Sequence, residues 1–424
     1  MRSNIANKSE IAVSANSRET AINTEQTLDT TMKVNIGDIA NLEPRREDDS
    51  DELTGMEEAS TIYYNGSLGT LNFNFNKAQP QHFAFLMGFG LGTVTTTAAG
   101  TGYLHTITPI EGDLDEYRSD PTFTIGGKVS DIMKRLFASF GIDSVNATFA
   151  EDDWVKISAQ AKGTGKVTNN YVEESITEDD DSTTLTLAAN AVEGATAAAR
   201  VDSVHSIKVE LTSGVWTDVA FSAVSDATPA IITITAPGSS ITAVTYKVLY
   251  VPEEPAWCTF PARISETPMR VTQMSCVVGG KWSGSAFEGG HTISSIIKTL
   301  EYSLQKNLTP KFSPGAGGAY ASRMLRDARV QTLKINREFR DVIMQNYIDQ
   351  NETFGVHVLC EGSVYDSPHK YTVEYIFPKC GILSAPISVD GKRIAEAGDL
   401  KVLQDDTYGS VIVRVKNLVS AYAA

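Results

Sequence analysis

The chain has 424 residues, of which 42% are hydrophobic and 21% are charged, a composition typical of globular proteins. This length is too great for one ordinary domain and sufficient for two, each with its own core. A formal net charge of −16 and a pI near 4.9 disfavour any nucleic-acid binding that depends on neutralising phosphates with Lys and Arg.

The N-terminal region predicts neither a leader nor a packed element. Its first residues lack the apolar core of a signal peptide, and no apolar run in the chain reaches membrane-spanning length. We therefore expect synthesis in a cytoplasm and no membrane insertion. Residues 1–45 are polar and lack sustained periodicity, which predicts an extended N-terminal arm that gains order only by lying on another surface.

An acidic, turn-rich segment leads from Glu43 into a predicted long hairpin, Thr61 to Asn76. Asn65-Gly66 favours a tight hairpin turn because both residues tolerate positive φ. The second arm alternates between an apolar face of Leu71, Phe73 and Phe75 and a polar face of Thr70, Asn72, Asn74 and Asn76. Such a ribbon buries only one face, so it must pack on its own domain or, as we favour, on a neighbouring subunit.

Pro80 to Gly92 predicts a short buried helix, since it has Pro near its start, Gly at its exit and apolar residues nearly all round. Alternating strand patterns continue to about Tyr171. From Glu173 to Glu254 the chain carries thirteen acids against three bases. Five short β-type runs in this region predict an inserted immunoglobulin-like β-sandwich over residues 173–255, with its two ends close together.

Strand patterns resume after the predicted insertion, and a second helix is predicted at Arg337 to Tyr347. The fold class is therefore mainly β. Residues 46–172 and 256–424 are interpreted as one discontinuous domain that the insertion interrupts. No convincing internal repeat is evident.

Signatures of catalysis are scarce. The sequence has no G-x-S-x-G elbow, no phosphate-binding G-x-x-x-x-G-K-S/T loop and no H-E-x-x-H pair, so we expect no enzyme and no cofactor. The Gly-rich run Pro314 to Tyr320 is interpreted as a loop. The four cysteines are few and widely spaced, which favours reduced buried thiols: Cys258, Cys276, Cys360 and Cys380.

Two metal sites can be imagined from residue types, and both are disfavoured. His357 and Cys360 could join His369 and Cys380 around zinc, but residues three apart on a strand point to opposite faces. The acids that precede the hairpin lack the Gly and terminal Glu of a calcium loop, which favours a solvated loop: Asp48, Asp49, Asp51 and Glu52.

The order of elements resembles that of the tail tube (major tail) proteins of long-tailed bacteriophages. The resemblance begins with a polar arm, the Asp51-Glu52-Leu53-Thr54-Gly55 loop, the long hairpin and the helix after a Pro. It continues with Tyr103 to Thr108 as a strand and with the DPTFTIGG run that opens the next hairpin. In the second half, LEYSLQKNLTPKFSPG and VQTLKINREFRDVIMQNYI resemble the same family.

This resemblance implies a structural virion protein located in the tail, made of a β-sandwich or barrel with flanking short helices. Several subunits, usually six, form a ring whose long hairpins line a lumen, and the rings stack into a conduit for DNA. Thr70, Asn72, Asn74 and Asn76 would face the lumen, while Asp48, Asp49, Asp51, Glu52, Thr54 and Gly55 would contact the next ring. Its partners would be further copies of itself and other tail proteins, such as tape measure, terminator and tip components. DNA would pass through without specific binding, and the inserted sandwich would decorate the tube.

A different class of protein also fits the sequence. The chain could be a surface- or carbohydrate-binding β protein whose binding site lies on the immunoglobulin-like insertion. The two hypotheses differ in assembly, since the first predicts rings or tubes and the second a monomer or small oligomer with a ligand groove.

Overall fold

The computed structural model describes residues 5–53, 57–110, 120–238, 241–315 and 318–423. It is mainly β, with 53% strand and 9% helix. None of the helices in the described ranges is long and apolar enough to cross a membrane. The described residues form two compact units: a larger unit within residues 11–125, 137–166 and 261–424, and a smaller unit within residues 1–10, 126–136 and 167–260.

The strands up to residue 163 are β1 Glu10–Val13, β2 Thr30–Met32, β3 Asn41–Asp48, β4 Ile62–Phe75, β5 Gly92–Ala99, β6 Gly102–Pro109, β7 Phe123–Val129, β8 Met133–Ala150 and β9 Lys156–Gly163. Those from residue 167 to 250 are β10 Val167–Asn169, β11 Val172–Glu178, β12 Thr184–Thr186, β13 Val204–Thr212, β14 Val215–Asp218, β15 Phe221–Val224, β16 Ile231–Ile234 and β17 Val244–Tyr250.

The remaining strands are β18 Met274–Trp282, β19 Phe287–Glu288, β20 His291–Thr292, β21 Ile297–Gln305, β22 Thr309–Lys311, β23 Arg323–Leu325, β24 Val330–Glu338, β25 Phe354–Asp366, β26 His369–Ser384, β27 Ile387–Asp390, β28 Arg393–Val402 and β29 Ile412–Asn417. The α-helices are α1 Pro80–Leu91, α2 Ala197–Asp202 and α3 Ile343–Asp349.

Eight strands of the larger unit form one antiparallel sheet in the order β3-β4-β9-β8-β21-β24-β28-β27. A second series of antiparallel pairs runs β5-β6-β29-β26-β25-β18. Helix α1 lies between the two, because Phe85 packs against Phe73 of β4 and Phe83 packs against Tyr375 of β26. The core of the larger unit is thus a helix enclosed by two β layers.

Helix α1 confirms the predicted helix. Its twelve residues are all buried, Pro80 occupies its first turn, and Gly92 ends it with a left-handed φ of 99°. The backbone N–H of Gln79 donates to Nδ1 of His82 at 3.1 Å, which satisfies a donor at the helix start. Every side of this helix is covered. Its sequence is therefore apolar all round, instead of having one apolar and one polar face.

The N-terminal residues differ from the predicted arm. Strand β1 pairs with β2, and Ile11, Ala12 and Val13 are buried. Glu19 is also buried, where its carboxylate accepts hydrogen bonds from Thr122 and Thr124 at 2.9 and 2.7 Å. The prediction that residues 1–45 contain no packed element is therefore wrong. Its polar composition was misleading because several of these polar groups are satisfied inside the fold.

The hairpin exists, but its turn lies elsewhere than predicted. Strand β4 runs without a turn through Asn65-Gly66, and its antiparallel partner is β3, so residues 49–61 connect the two strands. At Gly66, with φ of 85°, the register shifts by one residue between Pro44 and Arg46. The Asn-Gly pair therefore forms a β-bulge, which uses the same positive φ that a tight turn would need. Residues Glu43 to Asp48, expected in an acidic loop, are strand.

The smaller unit contains a β-sandwich. One sheet has the order β11-β17-β13-β14 and the other β12-β16-β15, and both contribute to one buried core that includes Leu185, Val209, Ile232 and Tyr246. Val172 of the first strand is paired with Tyr250 of the last, so the two ends lie close together, as expected. A constant-type immunoglobulin sandwich places its first strand beside its second, whereas here the first lies beside the last.

Two further predictions can be compared with the larger unit. The predicted helix from Arg337 to Tyr347 is displaced, since β24 continues to Glu338 and α3 begins at Ile343. The side chain of Arg337 is fully buried and ion-paired, a role that the helical spacing of its apolar neighbours did not reveal. The four cysteines are all free and buried, as predicted.

Candidate functional site

The polar residues predicted to line a lumen lie on one face of β4. Thr70, Asn72 and Asn74 alternate with Leu71, Phe73 and Phe75, and the three apolar residues are buried. Asn72 is exposed, Thr70 and Asn74 are half-buried, and Asn76 is exposed just after the strand ends. The predicted alternation is therefore present.

This polar face extends over three neighbouring strands of the same sheet. Paired residues form two rows across β4, β9, β8 and β21, namely Asn72–Gln160–Ser144–Gln305 and Asn74–Ser158–Asn146–Ser303. On the opposite face the paired residues are buried and apolar, for example Phe73, Ala159, Val145 and Leu304. The result is a sheet with one apolar face toward α1 and one face of amides and hydroxyls.

Charged side chains of both signs continue the face onto β24 and β28. Glu301 is paired with Lys334, which is paired with Asp399, and Thr332 is paired with Lys401. On β9, Lys162 forms an ion pair with Asp143 at 3.0 Å. Because the charges alternate in sign, the face does not concentrate positive charge of the kind that binds phosphates.

Several of the predicted lumen residues are held by hydrogen bonds from neighbouring elements. The side-chain amide of Asn74 donates to Asp38 at 2.7 Å, and its backbone N–H donates to the same carboxylate at 2.9 Å. The hydroxyl of Thr70 donates to Glu43 at 2.9 Å, and the amide of Asn76 donates to Asn35 at 3.1 Å. Hydrogen bonds within the protein therefore already hold these polar side chains in position.

The acidic connection between β3 and β4 is ordered in part by its own carboxylates. Asp49 accepts hydrogen bonds from the backbone and hydroxyl of Ser60, which hold the pKa of this carboxyl below its usual value. Asp48 accepts from Ser50 in the same way, and its pKa is also lowered. Both carboxylates thus shape the loop instead of presenting free acceptors.

Asp51 and Glu52 are exposed, and the hydroxyl of Tyr63 donates to Glu52 at 3.2 Å. The predicted contact residues Thr54 and Gly55 lie outside the described residues. The end of the ribbon beside them carries large exposed apolar side chains, with 66% of Ile62 and 54% of Tyr64 accessible. Exposed apolar groups gathered at one end of the β3–β4 hairpin indicate a contact surface for another protein.

Two other places carry polar and aromatic side chains together. A cleft of about 450 Å³ in the larger unit is lined by aromatic, glycine and charged residues, including Trp282, Tyr347 and Tyr408. On the sandwich, the half-buried Trp216 has the ammonium of Lys247 4.6 Å from its ring centre, which occupies the ring face that a sugar would stack on.

The imagined zinc ligands are also used otherwise. Nε2 of His357 lies 2.9 Å from Oε1 of Glu374. Among the described residues, no group of three or more His, Cys, Asp or Glu side chains is arranged to hold a metal ion.

No protein-family model matches the chain, and no curated protein matches its sequence.

The polar face includes residues that the sequence alone did not identify as part of it. Ser158 and Gln160 alternate with buried residues in β9, and Ser303 and Gln305 do so in β21. Their alternation was visible, but only the pairing of the strands places them beside Asn72 and Asn74.

Proposed function

We propose that the chain is a structural subunit that assembles into closed rings, which stack into a hollow tube of the bacteriophage tail type. The observation that carries this proposal is the continuous polar face of the eight-stranded sheet. A face of amides, hydroxyls and balanced charges suits a water-filled bore through which DNA slides, because it offers few cations to phosphates. The net charge of −16 adds long-range repulsion to this effect.

The apolar face and the ribbon support the same proposal. The apolar face packs toward α1, while Ile62, Tyr63 and Tyr64 of the β3–β4 hairpin are exposed. A monomer gains nothing from such exposure, whereas a subunit buries it against its neighbour.

Imaging of the purified protein by negative-stain electron microscopy tests the proposal directly. We expect rings or hollow tubes whose formation depends on protein and salt concentration. A species that stays monomeric under all conditions would contradict it.

A second experiment tests which face lines the bore. Replacing Asn72 and Asn74 with Lys adds cations to the proposed lumen, so we expect particles that assemble normally but release DNA slowly. The matched control places Lys at Thr217, an exposed position of the sandwich. Normal ejection by the Asn72 and Asn74 variant would place that face elsewhere.

A further inference from the structure

The eight-stranded sheet contains the same four-stranded arrangement twice. Repeat 1 is formed by β3, β4, β8 and β9, and repeat 2 by β21, β24, β27 and β28. Within each repeat, numbering the strands by chain order gives the spatial order 1-2-4-3. In each repeat an α-helix follows the second strand, and a β-hairpin follows that helix. The sequence alone shows no convincing internal repeat, and the strand pairing reveals one.

The pairing registers of the two repeats coincide residue by residue. Asn41 is paired with Thr70 in repeat 1, and Ser303 with Thr332 in repeat 2, so both strands are related by the same difference of 262 in residue number. Thr70 is in turn paired with Lys162, just as Thr332 is paired with Lys401. A shared register across three strands is hard to obtain from unrelated segments.

The sequence retains traces of this repeat. Thr70-Leu71-Asn72-Phe73-Asn74 corresponds to Thr332-Leu333-Lys334-Ile335-Asn336 in the second strands. Gly141-Ile142-Asp143-Ser144 of β8 corresponds to Gly381-Ile382-Leu383-Ser384, the end of β26 that pairs with β28 next to β27. Both segments have a register shift at the same place, between the Ile and the Ser. A bulge retained at one position is typical of related structures.

The two repeats are joined edge to edge inside the chain. The third strand of repeat 1, β8, pairs antiparallel with the first strand of repeat 2, β21, and Ser144 lies opposite Gln305. The free edges of the sheet are the equivalents of these two strands: β3 corresponds to β21, and β27 corresponds to β8. Among the described residues, β3 has no strand partner except β4, and β27 has none except β28.

Side chains at the free edge of repeat 2 are bare where those of repeat 1 are covered. Val389 corresponds to Phe149 and is 77% exposed, whereas Phe149, beside β21, is 1% exposed. A Cβ at Gly141 would meet Leu308 and Met324 at 2.7 and 3.2 Å, but a Cβ at Gly381 would meet only Leu403 at 3.5 Å among the described residues. Repeat 2 covers the edge of repeat 1, but no corresponding neighbour covers the edge of repeat 2.

We infer that the edge of β27 and the adjoining end of β26 bind the β3 edge of a second copy of this chain, in the register that joins β8 to β21. This inference rests on the proposed function. The internal junction supplies the pairing: Glu43 of one copy takes the place of Gln305, and Ser384 of the other takes the place of Ser144. The exposed ribbon residues then cover the bare surface around Gly381, as Met324 covers Gly141.

The number of chains in a ring follows from the repeat together with the number of wall segments that the resemblance implies. The resemblance implies six subunits around the lumen, each adding one wall segment. Because one chain of this protein contributes two four-stranded segments, three chains complete a wall of six. Around the ring, junctions between two repeats of the same chain then alternate with junctions between repeats of different chains.

Native mass spectrometry of assembled rings tests the number. With a chain mass of 45.8 kDa, three copies give about 137 kDa and six give about 275 kDa. A ring of three supports the inference, and a ring of six overturns it while leaving the proposed function intact. A full-length protein that forms no closed assembly at all overturns the proposed function as well.

Disulfide cross-linking tests the register. We expect Glu43→Cys with Ser384→Cys to yield covalent trimers under oxidation. Glu47→Cys with Ser384→Cys is the matched control, since Glu47 is an exposed β3 residue about 13 Å further along the strand. Equal cross-linking by both pairs, or none by the first pair in intact rings, would overturn the proposed edge.

A variant that folds but does not assemble gives an independent check. Val389→Asp places a charge on the exposed edge, so the soluble monomer should persist with unchanged circular dichroism. Val215→Asp is the control, because Val215 is a 56% exposed residue of the sandwich. Ring formation by the Val389 variant at the wild-type concentration would contradict the inference.

Discussion

The buried ion pair between Arg337 and Glu396 offers a sharp test of what stabilises the larger unit. The two residues lie opposite each other on β24 and β28, and neither side chain is accessible to solvent. Nε of Arg337 lies 2.7 Å from Oε2 of Glu396, and Asp341 accepts two further hydrogen bonds from the guanidinium. Both charges are thus paired in a region that excludes water.

The magnitude of the effect depends on which charge remains. Glu396→Ala leaves Arg337 buried with only the partly exposed Asp341, and removal of one partner of a buried pair costs about 3–5 kcal/mol. Replacing both partners by apolar residues of similar size is often neutral or stabilising by about 1–4 kcal/mol. The repeat supplies the replacement: Phe75 and Ile157 are paired at the corresponding position of repeat 1.

Urea denaturation of the monomeric protein, compared at equal m-values, measures these effects. We expect Glu396→Ala to lose about 3–5 kcal/mol of unfolding free energy, and Arg337→Phe with Glu396→Ile to recover that loss. Arg340→Ala is the control for an exposed ion pair and should change the free energy by less than about 1 kcal/mol. A Glu396→Ala variant within about 1 kcal/mol of wild type would refute the reasoning.

Three further predictions follow from packing, backbone geometry and burial. Gly66→Ala should lose about 1–3 kcal/mol in thermal or urea unfolding, because a Cβ at this φ of 85° would lie 2.7 Å from the Ala319 carbonyl oxygen. Gly391→Ala, at positive φ but with open space around it, should lose less, and equal losses would contradict the steric explanation. Phe85→Ala should cost about 3–5 kcal/mol because it opens a cavity between the two β layers. The exposed Val342→Ala should stay within about 0.5 kcal/mol of wild type, and a similar midpoint for both variants would show that α1 is not central to the core. Burial raises the pKa of Glu266 from 4.5 to about 7, so the folded state binds the extra proton and wild-type stability should fall as pH rises from about 4.5 to 7. The fall is on the order of 3 kcal/mol, and Glu266→Gln should abolish it in urea midpoints measured across this range.

The local patterns of the sequence predicted the elements whose environment is uniform. Helix α1 was found because Pro80 and Gly92 mark its ends and its residues are apolar throughout. The alternation in β4 was also correct, since Leu71, Phe73 and Phe75 all face the core. In such cases one face of one element decides the residue types, so a short window carries the information.

What local patterns could not provide was the consequence of pairing. Asn65-Gly66 has the same φ preference in a bulge as in a turn, and only the register with β3 distinguishes them. The buried Glu19 looked like a solvated residue because its hydrogen-bond donors lie about 100 residues away in sequence, at Thr122 and Thr124. The polar face likewise depends on strands that are distant in sequence.

The repeat is not apparent from the sequence for a related reason. Its two copies share only short matches, such as Gly141-Ile142 with Gly381-Ile382, and the segments between them differ in length. The repeat becomes evident when pairing partners are compared, because register is retained where residue identity is not.

The neighbouring first and last strands of the sandwich have a mechanical consequence. The chain enters at Val172 and leaves after Tyr250, and these residues are paired at the same end of two antiparallel strands. A force applied through the flanking chain therefore opens the β11–β17 hydrogen bonds one after another, like a zipper, instead of shearing them together. The sandwich should therefore unfold at low force, which lengthens the chain between its two ends, and it should refold when the force is removed.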